Sequence, residues 1–508
     1  MQRLNDRATY RWSGDIAQPA TTIAGRPARS FEFQAESDLG IARDQWSELE
    51  LTSGKRMFPI GPMSMFEALN TLGLPVSNLP PDKELIDLLL NAAEIEHGLM
   101  VQYMYAAATA GESDIAGYLR RIAIEEMGHF LTVQNLLVSF GSSPHLRSLD
   151  WVDTHFFKPF DFKLEAASKF SLAKYCASEM PDLNSPHFDE QQRQDLPQIL
   201  VDATNSTGGA SVEAHRVGLL YMKIYWLLRD SDEPMPEGQV EPWDSFPVDQ
   251  VAAIVPGVHV SDNLLQADRA VHNGLLEHWE RPGRALKIFP VRSRAEALQA
   301  IVEVSAQGEG FSSSPNGHFD KFVKAWRSAK LTDPVTSSFT QNPWYREPGA
   351  ASVTHDGDEI TNPLAVAFAR LGDRSYEVVV LTIALYLLLP TGAPDSVRRR
   401  LANASIECMK QCLATATRNL GELPATLGAP GVPKKCGMPY MRGPLLISDS
   451  ASAVFTRIEV LKTEVIQIAG QVAMLSDTSQ LFIDEAAAVA KAMADYVWPD
   501  VAAAGALV

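Results

Sequence analysis

A chain of 508 residues exceeds what one ordinary core organises, so several domains, or one bundle with a large helical extension, are expected. With 44 basic against 62 acidic residues and a net charge of -18, a general nucleic-acid or anionic-membrane surface is excluded. Four cysteines make no disulfide framework and MQRLNDRATYRW has no apolar signal core, so a cytoplasmic protein is expected.

Residues 1–80 read as an extended N-terminal arm, irregular and rich in glycine and proline towards its end (FPIGP, GLPVSNLPP). Pro80 and Pro81 precede a helix whose apolar positions recur at the helical period from Glu84 to about Ala110. A second helix is predicted from about Ile115 to Phe140, stopped by GSSP. The stretch 144–209 reads as a long connection with a short helix near Leu164 to Cys176 and a polar loop, NSPHFDEQQRQD. A third helix is expected over 210–229. The fourth begins near Arg294, breaks around Gly308 and Gly310, and resumes at His318. Further helices are expected over 362–389, 396–420, 451–475 and 483–496. The longest apolar run, Val378 to Pro390, is too short to span a bilayer. The expected organisation is an arm over 1–80, a helical bundle over 81–330, and a C-terminal helical region over 331–508 packed on it.

The first two helices carry acidic residues in apolar surroundings, where a carboxylate is costly unless a cation compensates it. Glu126 and His129 are three apart and share a helical face, so both can serve one metal. A dimetal four-helix site takes one Glu from each of two helices and a Glu-x-x-His pair from each of the others. The candidate ligands are Glu96, Glu126, His129, Glu213, Glu309 and His318, with Glu303 as a fallback in the fourth helix. Glu94 and Glu96 lie about 200° apart round the helix, so only one faces inward. Glu96 shares its stripe with Leu99, Met100 and Tyr103 and is preferred. Glu126 is preferred to Glu125 because it completes the step to His129. The fourth helix offers no strict Glu-x-x-His, since Glu309 and His318 are separated by a glycine-rich break. Such a break leaves a gap beside the metals through which a substrate can enter. Glu213 also has a bland reading, as an acid placed near a helix N-terminus. Carboxylate and imidazole donors suit iron or manganese over zinc, and two adjacent metals can reduce dioxygen or peroxide. His97, His215 and Tyr103 are candidate catalytic residues that orient ligands or pass protons. Cys408, Cys412 and Cys436 read either as packing residues or as a second metal site.

The run EIEHGLMVQYMYA, the pair in EEMGH, and QGEG followed by a serine-rich loop and HF resemble a ferritin-like domain family. That domain also stands at the N-terminus of the large violacein-pathway enzyme that couples two indole-pyruvate imines. It recurs in the related iminophenylpyruvate dimer synthases of rebeccamycin and staurosporine biosynthesis. The resemblance covers roughly residues 80–330. It implies a mainly α, ferritin-like four-helix bundle with long crossovers and an additional C-terminal helical layer. Glu96, Glu126, His129, Glu213, Glu309 and His318 would match the family's ligands, which favours Glu309 over Glu303. The chain is about half the length of the coupling enzymes, and SVEAHR stands where the family more often has a Gly-Glu-aromatic step.

The resulting expectation is a non-haem di-iron or dimanganese oxidase or oxygenase. It would use O₂ or peroxide on a small molecule, such as an amino acid or its imine in secondary metabolism. Two iron ions per chain are expected, with manganese the other candidate and haem left open. A small-molecule substrate, no nucleic acid, no membrane, and a homodimer complete the expectation. Two other readings stay open: an iron-storage or peroxide-detoxifying protein, and a non-catalytic binding protein with a degenerate site.

Overall fold

A computed structural model of the chain describes residues 11–12, 79–111, 113–146, 157–181, 189–206, 216–229, 260–279, 285–308, 317–329, 338–347, 355–428, 431–440, 445–446, 450–475 and 479–496. The arm expected over 1–80 lies almost wholly outside them. The pair Arg11–Trp12 (β1) is described, and it runs antiparallel to Leu445–Leu446 (β4). Trp344–Tyr345 (β2) pairs in parallel with Glu359–Ile360 (β3). All other regular structure among the described residues is helical.

Helix α1, Pro81–Thr109, starts with a proline where no backbone donor is needed and carries Asp82 and Glu84 in its first turn. Gly111, at φ +66, turns the chain, and the Ser113 side chain caps α2, Asp114–Ser139, by accepting from Ala116 N. The two helices pack along their length. Buried leucines, isoleucines and valines from both form the core (Leu85, Leu88, Ile95, Ile122, Val133 and Leu136 among them). Burying side chains of this size contributes about 1.5–3 kcal/mol each, and chain entropy opposes it.

The third and fourth sides of the bundle are each built from two short helices. On the third side, Lys169–Ser178 (α3) and Arg216–Leu228 (α5) flank different parts of α1. Tyr175 of α3 meets Tyr103 edge-on at 4.9 Å, whereas Tyr221 and Lys223 of α5 reach Glu96 and Glu84. On the fourth side stand Arg294–Gln307 (α6) and His318–Ser328 (α7), both against α2, with α6 also on α5 and α7 also on α3. The break after Gln307 falls where the glycine pattern predicts it. Glu190–Thr204 (α4) packs on α3, in a stretch the sequence suggests is a polar loop. Its Asp189–Gln192 capping box and its one apolar stripe (Leu196, Ile199, Leu200 and Ala203, all buried) explain the helix, and Pro197 is tolerated within it.

The outer face of α2 carries a polar stripe at helical spacing, Thr132, Asn135 and Ser139, all buried. These side chains hold two irregular segments. Asn135 Nδ2 donates to the carbonyls of Gly274 and Phe289, Ser139 Oγ donates to Val291 O, and Thr132 Oγ1 accepts from Phe289 N. Gly128 stands in the same region, and a Cβ there would lie 2.1 Å from Lys287 O. Gly128→Ala is therefore expected to displace backbone and to lower stability by about 3 kcal/mol, measurable as a fall in the chemical-denaturation midpoint.

The second layer is built around Pro363–Leu388 (α8), capped by Asn362. Asp395–Cys408 (α9), a π-helical turn at Met409–Leu413, and Ala414–Leu420 (α10) follow, then Ala451–Val472 (α11) and Gln480–Ala494 (α12). It meets the first layer through buried hydrogen bonds at 2.5 Å from Tyr376 to His97 and from Tyr386 to His278 Nδ1. Arg457 of α11 pairs with the buried Glu377 of α8 at 2.9 Å. Among the described residues no helix is long and apolar enough to cross a membrane.

Candidate metal centre

Three of the four half-helices, α3, α6 and α7, end or begin at one level of the bundle, beside the middles of α1 and α2. Glu96 is presented by α1, and Glu126 and His129 by adjoining turns of α2. Glu179 follows the last residue of α3 and caps it, Gln307 closes α6, and His318 opens α7. Glu96, Glu126, His129, Glu179 and His318 are all at most 3% exposed.

Glu126 lies between the two histidines. Its Oε2 is 2.9 Å from His129 Nδ1, and its Oε1 is 3.0 Å from His318 Nδ1. The two imidazoles stack with centroids 5.2 Å apart. His129 Nδ1 is also 3.6 Å from Glu96 Oε2, and His318 Nδ1 is 3.4 Å from Glu179 Oε2. Each outer carboxylate is held from behind by a tyrosine. Tyr221 donates to Glu96 Oε1, and Tyr103 donates to Glu179 Oε1 at 2.5 Å. The far edges of the imidazoles are fixed as well. His129 Nε2 meets Gln307 Oε1 at 3.3 Å, and His318 Nε2 lies 3.2 Å from Glu125 Oε2. The Gln307 oxygen favours the proton on Nε2 of His129, and the Glu125 charge favours one on Nε2 of His318 without completing a hydrogen bond, so Nδ1 is the ligand atom in each ring.

Glu126, His129 and His318 therefore form a buried triad whose ligand atoms lie within 4.8 Å of one another, a group able to hold a metal ion. The fit to a cation shows in atoms that complete no hydrogen bond despite their short separations: Glu96 Oε2, Glu126 Oε1 and both nitrogens of His318. Glu126 and His318 both belong to the triad that gathers around one space, and Glu96 Oε2 lies beside its His129. Several buried carboxylates around that space need positive charge. In the metal-free protein protons supply it. Burial alone would push His129 down, but Glu126 and then Glu96 outweigh it and raise the imidazole to about 9. His318 is likewise held well above its ordinary value, against burial, by Glu126, Glu125 and Glu179. Burial disfavours the Glu126 charge, yet His318 and His129 hold this carboxyl well below its usual range. Glu96, by burial and by the Glu126 charge, rises to about 7.

Glu125 does separate work. It faces the solvent side of His318, where Lys321 Nζ lies 2.5 Å away and the exposed Arg121 lies 3.6 Å away. Burial would raise this carboxyl, but His318 and Lys321 together lower it. Glu125→Gln keeps the shape and removes the charge that orients the ring. It is expected to weaken metal affinity about 10–100-fold in a calorimetric titration with manganese(II).

Of the other residues singled out in the sequence, Tyr103 reaches the centre through Glu179, while His97 turns to Tyr376 and packs on Phe130. Glu94 points to His145, at 2.8 Å. Glu303 is half-buried on α6. Glu213, His215 and Glu309 lie outside the described residues. Three contributors have no sequence spacing to reveal them: Glu179 sits at the end of a short crossover helix, Tyr221 reads as one more apolar-face residue of α5, and Gln307 lies within QGEG two residues before Glu309.

A family model described as Ferritin-like matches residues 89–326. Dichlorochromopyrrolate synthase from Lentzea aerocolonigenes is 25% identical over 400 residues, covering 70% of this chain and 35% of that protein. The chain thus spans about a third of the length of this curated relative. No solved structure gives a significant match. The architecture is a mainly α, ferritin-like bundle extended by C-terminal helices. Residues 89–326 are thus similar to ferritin-like domains, and the chain is similar at 25% identity to that synthase.

Proposed function

We propose that the protein is a metal-dependent oxidoreductase with two metal ions bound on either side of Glu126. One half-site would comprise Glu96, His129 and Glu126 Oε2; the other would comprise Glu179, His318 and Glu126 Oε1. The observation that carries this reading is the paired arrangement itself: each imidazole faces one oxygen of the shared carboxylate, with an outer, tyrosine-held carboxylate beside it. Glu213 and Glu309 remain proposed further ligands by sequence. Iron fits an oxygen-rich donor set with two imidazoles, and manganese fits it nearly as well. Such a pair, when bound, supplies the electrons for reducing dioxygen or peroxide.

The chain's own residues divide the remaining tasks. Tyr221 and Tyr103 hold the outer carboxylates in place and can return a proton at Glu96 Oε1 and Glu179 Oε1. Gln307 fixes the His129 tautomer at Nε2, and the Glu125 charge favours a proton at Nε2 of His318. Glu125, with Arg121 beside it, connects that edge of the site to solvent for proton exchange. The helices of the wall end at Ser178 and Gln307, at metal level, and we take this side as the one a small molecule would approach. The relative's name, a synthase of dichlorochromopyrrolate, supports a biosynthetic small molecule, and we keep an amino acid or its imine as the proposed class.

The test is anaerobic loading with iron(II), followed by exposure to O₂. The wild-type chain should take up two equivalents of iron per chain and consume O₂ as they oxidise, and Glu126→Ala should do neither. A single zinc ion in protein purified without chelator, with no O₂-dependent change after iron loading, would remove the oxidoreductase reading.

A further inference from the structure

Gly98 and Gly128 stand within two residues of Glu96 and His129, and Gly308 follows Gln307 at the end of α6. A Cβ at Gly98 would meet the Phe162 ring at 3.3 Å, and one at Gly128 would meet the Lys287 carbonyl. Those two glycines admit packing neighbours. Gly308 is buried too, but a Cβ there would meet proposed ligand atoms, Glu179 Oε2 at 3.1 Å and His318 Nδ1 at 3.7 Å. The next atom, Val304 O at 4.0 Å, already accepts from Gly308 N at 3.3 Å. Apart from the residues adjoining Gly308 in the chain, no other atom comes as close.

We propose that the half-site of Glu179 and His318 binds a small exogenous anion in the space Gly308 leaves, and that the half-site of Glu96 and His129 does not. The inference rests on the two-metal reading above and adds which of the two ions is reached from outside. Donor atoms at right angles about one ion, each about 2.1 Å from it, lie about 3 Å apart. The missing Cβ of Gly308 is spaced from Glu179 Oε2 and His318 Nδ1 much as a further donor would be. Glycine is the residue that puts no side-chain atom there.

The sign of the ligand follows from charge. Two metal ions bring more positive charge than Glu96, Glu126 and Glu179 cancel, and the imidazoles bind as neutral rings. With iron(III) a surplus remains even if Glu213 and Glu309 join. One residue before the space, the buried Gln307 Nε2 has no acceptor, and a donor left over at this end of α6 also suits a ligand that carries acceptors. Around the first half-site the corresponding room is taken. Phe162 and Lys287 fill the glycine positions, and the Tyr221 hydroxyl holds Glu96 from behind.

The test uses the intact chain loaded with iron(II), oxidised by O₂ and titrated with azide, whose binding to iron(III) is read as a visible absorption band. The wild type should bind azide saturably. Gly308→Ala should keep two iron ions and bind azide roughly tenfold or more weakly, the scale of one misplaced carbon in a pocket. Gly117→Ala, at an exposed glycine with open space around it, should match the wild type. Crystals of the manganese(II)-loaded wild type soaked in azide locate the anion directly, and they decide the matter if Gly308→Ala loses a metal ion or fails to fold. The expected position is beside Gly308, against Glu179 and His318. Azide on the Glu96 and His129 side would overturn the proposal, as would undiminished binding by a Gly308→Ala chain carrying two iron ions. Two metal ions with no azide bound would overturn it alone. Fewer than two ions in the wild type would overturn the two-metal reading and this inference with it.

Discussion

Glu126→Ala is expected to abolish metal binding and to destabilise the metal-free protein as well, which no other single substitution at the centre should do together. Glu126 is the one carboxylate in contact with both imidazoles, at 2.9 Å and 3.0 Å, and it is 1% exposed. Its removal takes a donor from each proposed half-site, so neither retains a shared ligand. We expect a loss of at least ~3 kcal/mol in metal-binding free energy, roughly two orders of magnitude in affinity. Without metal, the loss leaves two buried imidazolium groups short of their principal counter-charge. Breaking a buried ion pair from one side costs about 3–5 kcal/mol. The imidazoles can shed protons and escape part of that cost, so about 3 kcal/mol is the expected loss at neutral pH. Urea denaturation with and without added manganese(II) checks both parts: a lowered midpoint without metal, and no recovery with it. Glu126→Gln, which keeps the shape, should show the same loss of metal response with a smaller fall in metal-free stability.

The second large effect is on pH. His129 is raised from its ordinary value of 6.5 to about 9, so its contribution to folding is fully present below pH 6.5 and is lost as pH climbs through 9. Glu96, raised from 4.5 to about 7, acts in the same direction over a lower window, since its ionised form is the one burial disfavours. Glu126 is lowered, so its contribution is present above pH 4.5 and is lost as the solution becomes more acidic than that. His129 and Glu126 report one interaction from its two ends, so their energies do not add. The metal-free protein should therefore be most stable in mildly acidic solution and lose about 3 kcal/mol between pH 6.5 and 9. Metal reverses the slope. It needs Nδ1 of both rings free of protons, so binding at pH 7 should release about two protons per chain, and affinity should rise across the same window. Calorimetry in buffers of differing ionisation enthalpy measures the release, and denaturation at pH 6 and pH 9, with and without manganese(II), measures the slopes.

The helical core and part of the centre are legible because they obey a local period. Glu126 and His129 declare themselves by a three-residue step on one helix, and the interruption before His318 is written in its glycines. Glu125 and Glu126 look like alternatives on a helical wheel. In the folded chain they stand on opposite edges of His318, an arrangement that depends on where α7 enters. Glu179 is illegible for a related reason. It stands in a crossover with no period of its own, and only the packing of α3 on α7 carries it to the imidazole. The helix Glu190–Thr204 carries a local signal in its capping box, which Pro197 and a polar composition mask. His97 shows the limit of proximity in sequence. It adjoins Glu96 but lies about 100° round the helix, which turns it to Tyr376 in the second layer.

Anomalous diffraction from crystals loaded with manganese(II) tests the shared-carboxylate centre most directly. The account predicts two peaks flanking the Glu126 carboxylate, one between Glu96 and His129 and the other between Glu179 and His318. A lone peak on one side of Glu126, or metal bound away from both imidazoles, would contradict it.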